Sequence, residues 1–362
     1  MELNYENWET PAPLPDMEKE LKKIRRDLRR RSWKIVLTSL LCAAAIVFTS
    51  VQYAIPALER QYWDPNTSTY VEGVPDLKLT MDVYTELFCP GYRIKSFDLA
   101  KDGFANYTLD VGFEYLADFP DYGKYIFDSY QSASVKQNTL TLAKDFWSYD
   151  YAGKFSNRNQ FIYVVGKNPT ADKRAVLAEL PEYVHVLSCV TFKEPLSMSD
   201  IIGMQTHIGG FSFKKLGKAN ILWLAISNGS TSEAPRKTCG FNPNLYIFSE
   251  YFDRANPNKI LFGKDSPYPQ LTLSLSSYTA LSLENHFKSL LKFSCDQLEN
   301  GTGIPSDDTG LDYYSSVLSY VEENGVNAFG AYIISTPQAL IDLYEEGIIT
   351  DFIIGDSWIS FS

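Results

Sequence analysis

Apolar residues follow three different rhythms along this chain. Met17, Leu21, Ile24 and Leu28 are spaced four, three and four apart, which predicts a helix with one narrow apolar stripe. Residues 35–55 then read IVLTSLLCAAAIVFTSVQYAI, a continuous apolar run without a charge. As a helix this run rises about 31 Å, enough to cross a hydrocarbon core of about 30 Å. Further on, LTMDVYTEL (79–87), YRIKSFDL (92–99) and ANYTLDVGFEYL (105–116) alternate with period two and predict strands. Cys89-Pro90-Gly91 and Lys101-Asp102-Gly103 break them, and residues 124–132 and 158–165 continue the pattern up to a turn at Gly166-Lys167-Asn168-Pro169.

The second half reads differently. Residues 183–193 predict a strand, followed by a short helix to about Gln205 opened by Pro195 and Ser197. Residues 220–227 (NILWLAIS) predict a buried strand. Residues 276–299 and 311–324 have helical spacing, and the chain closes with strand 326–335, a helix opened by Thr336-Pro337 and strand 348–354. Two β-α-β units bracketing long helices predict an α+β C-terminal domain with a ferredoxin-like or related open sheet. The expected fold class is a single-pass membrane protein whose extracytoplasmic part is α+β, with a β-rich N-terminal extracytoplasmic region. Four segments follow: a cytoplasmic acidic tail and basic amphipathic helix at 1–34, a transmembrane helix at 35–55, a β-rich domain at 56–165 and an α+β domain at 166–362.

Charge orients the span. Nine Lys/Arg stand against three Asp/Glu between residues 17 and 34, whereas residues 56–72 offer only Arg60 against Glu59, Asp64 and Glu72. Positive charge stays inside, so the N-terminus is expected in the cytoplasm and residues 56–362 outside. A cleaved signal peptide has a shorter apolar core and an earlier basic flank, so the run reads as an uncleaved anchor. Beyond the span, 24 bases face 37 acids, a balance that argues against direct nucleic-acid binding.

The helix before the span is the candidate binding site. Met17, Leu21, Ile24 and Leu28 are its apolar anchors, and Lys22, Lys23, Arg25, Arg26 and Arg29 supply charge. Two occupants fit it, the anionic inner leaflet or the groove of a cytoplasmic protein. A plain topology anchor needs neither.

Little else carries chemistry. His185, His207 and His286 have no metal-binding spacing, and no HExxH or GxSxG occurs. Adjacent carboxylates such as Glu322/Glu323 and Glu345/Glu346 diverge on helices. Neither catalysis, metal nor cofactor is expected. Cys42 lies in the span, and Cys89, Cys189, Cys239 and Cys295 lie beyond it without a CxxC pair. Free thiols, or at most one disulfide, are expected.

Several blocks resemble one family. RRSWKIVLTSLLCAAAIVFTSVQYAIPALERQYWD and MDVYTELFCPGYRI are similar to the membrane-entry and following segments of the bacterial sigma factor regulator family. VHVLSCVTFKEPLSMSDIIGM, ANILWLAIS and VNAFGAYIISTPQALIDLYEEGIITDFIIGD resemble successive blocks of its C-terminal domain. The resemblance implies a membrane-bound anti-sigma factor that holds an extracytoplasmic-function sigma factor inactive in response to envelope state. The alternative is a tethered extracytoplasmic sensor module without direct sigma contact. Many family members have a longer cytoplasmic domain, some with a His/Cys zinc site. Here residues 1–34 contain no His or Cys, so sigma binding would rest on a short helix and tail, or on a second membrane subunit.

Overall fold

The structure is a computed structural model that describes residues 15–71, 73–115, 129–143, 146, 174–175, 177–204, 219–230, 237–243, 267–271, 279–304 and 309–359. It divides into two units, Met1–Tyr62 and Trp63–Ser362.

The first unit is helical. Helix α1 (Pro15–Thr49) runs without interruption from the basic segment into the apolar run, and Asp16 and Glu18 occupy its first turn. No Gly or Pro occurs between Asp16 and Ile55, so nothing in the sequence breaks it. One π-helical turn (Ser50–Ala54) follows, then the short α2 (Ile55–Glu59). Pro56 lacks an N–H, and its ring crowds the carbonyl four residues earlier, the position that the widened turn relieves.

The second unit begins with a correction. The region after the apolar run was expected to be β-rich, but residues 16–59 are helical and residues 76–88 form another helix, α3 (Asp76–Phe88). Apolar side chains at 77, 79, 81, 83, 84, 87 and 88 cover most of this helix, and the polar face of Lys78, Asp82, Thr85 and Glu86 is itself enclosed. It is buried from Leu79 through Phe88, and it touches β1 (Tyr92–Gly103). β1, β2 (Asn106–Tyr115), β3 (Ser129–Lys136) and β4 (Thr139–Leu142) form an antiparallel meander in that order. Leu109, Val111, Phe113 and Val135 turn fully buried side chains into the core.

The second sheet contains β5 (Val184–Ser197), β6 (Ala219–Ile226), β7 (Cys239–Phe241), β8 (Asn327–Ser335) and β9 (Ile349–Ile359) in the order β7-β6-β8-β5-β9. All neighbours are antiparallel. β5 and β6 therefore run parallel on either side of β8, and β8 and β9 run parallel on either side of β5. Helices α4 (Met198–Met204) and α7 (Pro337–Glu345) make the two crossovers, so the β-α-β units interleave. Helices α5 (Ala280–Glu299) and α6 (Leu311–Asn324) lie between β7 and β8 in sequence.

Local signals explain the helix starts. Thr279 caps α5 by accepting from the Ser282 amide at 3.1 Å, while the Ser282 hydroxyl accepts from the Thr279 amide at 2.8 Å. Thr336 accepts from the Ala339 amide at 3.3 Å with Pro337 at the first helical position. Pro195, expected to open α4, instead lies in β5, and Ser197 opens the helix through its hydrogen bonds with Asp200. Those bonds hold the Asp200 carboxyl below its ordinary value.

Helix α3 is tied to the second sheet and its helices by polar contacts. The indole of Trp223 in β6 donates to the Glu86 carbonyl at 2.7 Å. Lys237 reaches the Tyr84 hydroxyl at 3.1 Å and lies 4.6 Å from the Phe88 ring centre. His286 of α5 sits with Nε2 2.8 Å from Glu86 Oε1 and Nδ1 2.8 Å from the Gln270 carbonyl. Both side chains are only 2% exposed. A carbonyl can only accept, so Nδ1 carries a proton, and a further proton must lie between Nε2 and the carboxylate. The pair thus shares one hydrogen-bonded proton in a site closed to bulk solvent.

Cys89, Cys189, Cys239 and Cys295 are buried free thiols. Burial pushes Cys239 up to about 11, and burial with Asp296 and Glu299 nearby pushes Cys295 up to about 11. Burial raises the phenols of Tyr313 and Tyr314 as well.

Two outcomes follow. His286→Ala strands the buried Glu86 carboxyl and should cost about 3 kcal/mol or more in denaturant unfolding. Glu86→Gln, whose amide can donate to Nε2, should cost clearly less; equal losses would contradict the shared proton. The thiols set an alkaline limit. An unfolded thiol loses its proton near 9.0 while folded Cys239 keeps it to about 11. The unfolded state then binds fewer protons, so this contribution is complete below pH 9 and lost as pH rises towards 11. The unfolding midpoint should fall across that window, and less steeply in the double variant Cys239→Ala, Cys295→Ala.

Candidate partner-binding surface

All nine candidate residues lie on α1, and the helix sorts them by face. At about 100° per residue, Met17, Leu21, Ile24 and Leu28 fall within about 60° of arc. Their exposures are 52%, 49%, 54% and 57%, so nothing among the described residues covers the stripe. Lys22, Lys23, Arg26 and Arg29 share the far side, and Arg25 borders the stripe. The helix therefore does not bring the cations together with the anchors, apart from Arg25. Lys22 pairs with Glu18 at 3.8 Å, one turn apart and fully in solvent, which contributes a few tenths of a kcal/mol at most.

Two features of this surface escape a reading that stops at Leu28. The three acids of the basic helix, Glu18, Glu20 and Asp27, all border the apolar stripe. The same three-and-four spacing also continues into the apolar run, where every neighbour is apolar and hides it. Extending the heptad register across residue 35 is the signal that finds it.

Helix α1 also carries the one stretch of the described residues long and apolar enough to cross a membrane, and none of that stretch is buried. Among the described residues no group of three or more His, Cys, Asp or Glu could hold a metal ion.

Neither described histidine is part of a site of three or more metal-ligating groups. His286 is enclosed by Glu86, Gln270 and the Phe241 ring, and His185 is half-buried in β5. His207 lies outside the described residues, as do the expected strand at 158–165 and the turn at 166–169.

Residues 177–356 match the family described as sigma factor regulator C-terminal. That span runs from just before β5 into β9 and contains the interleaved β-α-β units. No curated protein and no solved structure matches the chain. The matched domain is regulatory and non-catalytic, and its family acts in sigma-factor regulation. The chain thus carries a sigma factor regulator C-terminal domain at residues 177–356.

Proposed function

We propose that this chain is a single-pass membrane-bound anti-sigma factor. Residues 1–34 lie in the cytoplasm and restrain an extracytoplasmic-function sigma factor, residues 35–55 cross the membrane, and residues 56–362 read envelope state outside. The apolar stripe Met17, Leu21, Ile24 and Leu28 docks into the sigma factor with Arg25 meeting acidic surface at its edge, and Lys22, Lys23, Arg26 and Arg29 meet acidic surface that reaches the far side of the helix.

The observation that carries the reading is the continuity of α1 through residue 35. A helix that crosses the bilayer and does not bend cannot also lie flat on it. Met17 is 18 residues before Ile35, so it projects about 27 Å from the hydrocarbon edge. Screening at physiological salt acts over about 8 Å, so Lys19, Lys22 and Lys23 stand beyond the pull of the lipid headgroups. Arg29, Arg30, Arg31 and Lys34 remain close enough to hold the orientation. The stripe therefore faces water, and a protein groove relieves that exposure where lipid does not.

One observation favours a second reading. Residues 1–34 contain no His or Cys for a zinc site, and a sensor module that signals through a second membrane subunit would need none. In that case replacing the stripe while keeping the charges leaves transcription unchanged.

The test is co-purification of the full chain with the candidate sigma factor from solubilised membranes. Leu21→Asp with Leu28→Asp should lower recovery by about tenfold or more, since two desolvated anchors are lost. Unchanged recovery sinks the assigned stripe.

A further inference from the structure

Past Leu28 the spacing of three and four continues through Arg31, Ile35, Thr38, Cys42, Ala45 and Thr49. All of these stand on the uninterrupted α1. Large apolar residues fill this seam from Met17 to Leu28 and at Ile35, Arg31 interrupts it, and the smaller Thr38, Cys42, Ala45 and Thr49 follow. Two independent patterns flank it.

The first pattern is charge. Glu18, Glu20 and Asp27 all fall on the two positions that edge the seam, and most of the nine bases occupy the outer face. In a parallel helix pair, the residue just before one seam position faces the residue five further on in the other helix. Glu20 then faces Arg25 of the second copy, and Arg25 faces Glu20 of that copy. The arrangement is complementary to itself, as a twofold contact requires.

The second pattern is polarity. Between residues 35 and 49, Thr38, Ser39, Cys42 and Thr49 all lie on the seam or at its edge, while Val36, Leu37, Leu40 and Val47 face away. The Thr38 and Thr49 hydroxyls already donate to the carbonyls of Lys34 and Ala45, at 2.8 and 2.7 Å. They can enter a contact in lipid without stranding a polar group, and small residues let two helices approach closely there.

We propose that α1 pairs in parallel with α1 of a second copy of this chain along this seam. A soluble partner could cover Met17 to Leu28, but only another membrane helix reaches Thr38 to Thr49, and the charge pattern fits a second copy. Arg31 is the charged seam residue. It sits at the edge of the apolar run, where its long stem carries the guanidinium out to the headgroups. The heptad drifts about 20° per repeat on a straight helix, so pairing draws the two helices into a left-handed supercoil. Pairing covers the stripe, so a second copy and the sigma factor compete for it; that competition alone rests on the anti-sigma reading.

The experiment is oxidative cross-linking of the full chain in its membrane, with copper phenanthroline as oxidant. Cys42 is exposed, and the other cysteines are buried. Wild type should give a disulfide dimer through Cys42, and Cys42→Ala should abolish it. Restoring one cysteine to the Ala variant by Ala45→Cys should recover the dimer. Leu40→Cys or Val47→Cys, on the lipid side, should yield about fivefold less, because a disulfide needs Cα atoms within about 7 Å. Glu20→Arg should weaken the Cys42 cross-link several-fold, and adding Arg25→Glu should restore it. Equal cross-linking at 40, 45 and 47, or no recovery in the charge swap, overturns the proposal. No sigma factor enters this assay, so its failure leaves the anti-sigma reading standing. Loss of co-purification alone likewise leaves the pairing intact.

Discussion

The burial of α3 on every side is the constraint around which Trp63–Ser362 is arranged. A helix on a protein surface turns its polar residues to water, but this one has no such face. Thr80, Asp82, Thr85 and Glu86 are all buried and must find partners inside. Thr80 and Thr85 bond back to their own helix at 2.8 and 2.7 Å, and Asp82 takes Lys78 at 3.0 Å. Glu86 cannot be satisfied locally. Its carboxyl needs His286 and its carbonyl accepts from Trp223, residues that lie 200 and 137 positions away. A helix that precedes the family-matched segment thus completes that segment's interior. The two sheets share one apolar core through it.

Much of the second half was legible because its signals are local. Thr279 and Thr336 announce their helices, and the runs at 220–227 and 326–335 are too short and too apolar for surface helices. The strand expected at 124–132 lies within the described residues only from Ser129, where β3 runs on to Lys136. The misreading of 79–87 has a physical cause. Leu79, Met81 and Val83 alternate like a strand, and that alternation overshadows the helical recurrence of Lys78, Asp82, Thr85 and Glu86. The His286–Glu86 contact could not be seen at all, because nothing local links residues so far apart. The stripe from Met17 to Leu28 was readable against its charged surroundings. Its continuation from Ile35 to Thr49 was not, because an apolar background supplies no contrast.

This chain places several demands on a single element. The same helix carries the exposed stripe, the cationic collar and the apolar run, with no linker among them. Whatever meets the stripe is therefore held at a fixed height and angle relative to residues 35–49. A flexible tether would let a partner search a large volume. A continuous helix removes that entropy beforehand, and it also makes a partner's geometry matter as much as its affinity.

The π-helical turn at Ser50–Ala54 gives that rod an end. Each hydrogen-bonded ring there takes in one more residue than the rings before it, so the angular phase slips where α1 gives way to α2. A gear train with one tooth added does the same thing. Rotation set by residues 17–49 arrives at Pro56 out of step, and the residues beyond are free to follow a register of their own.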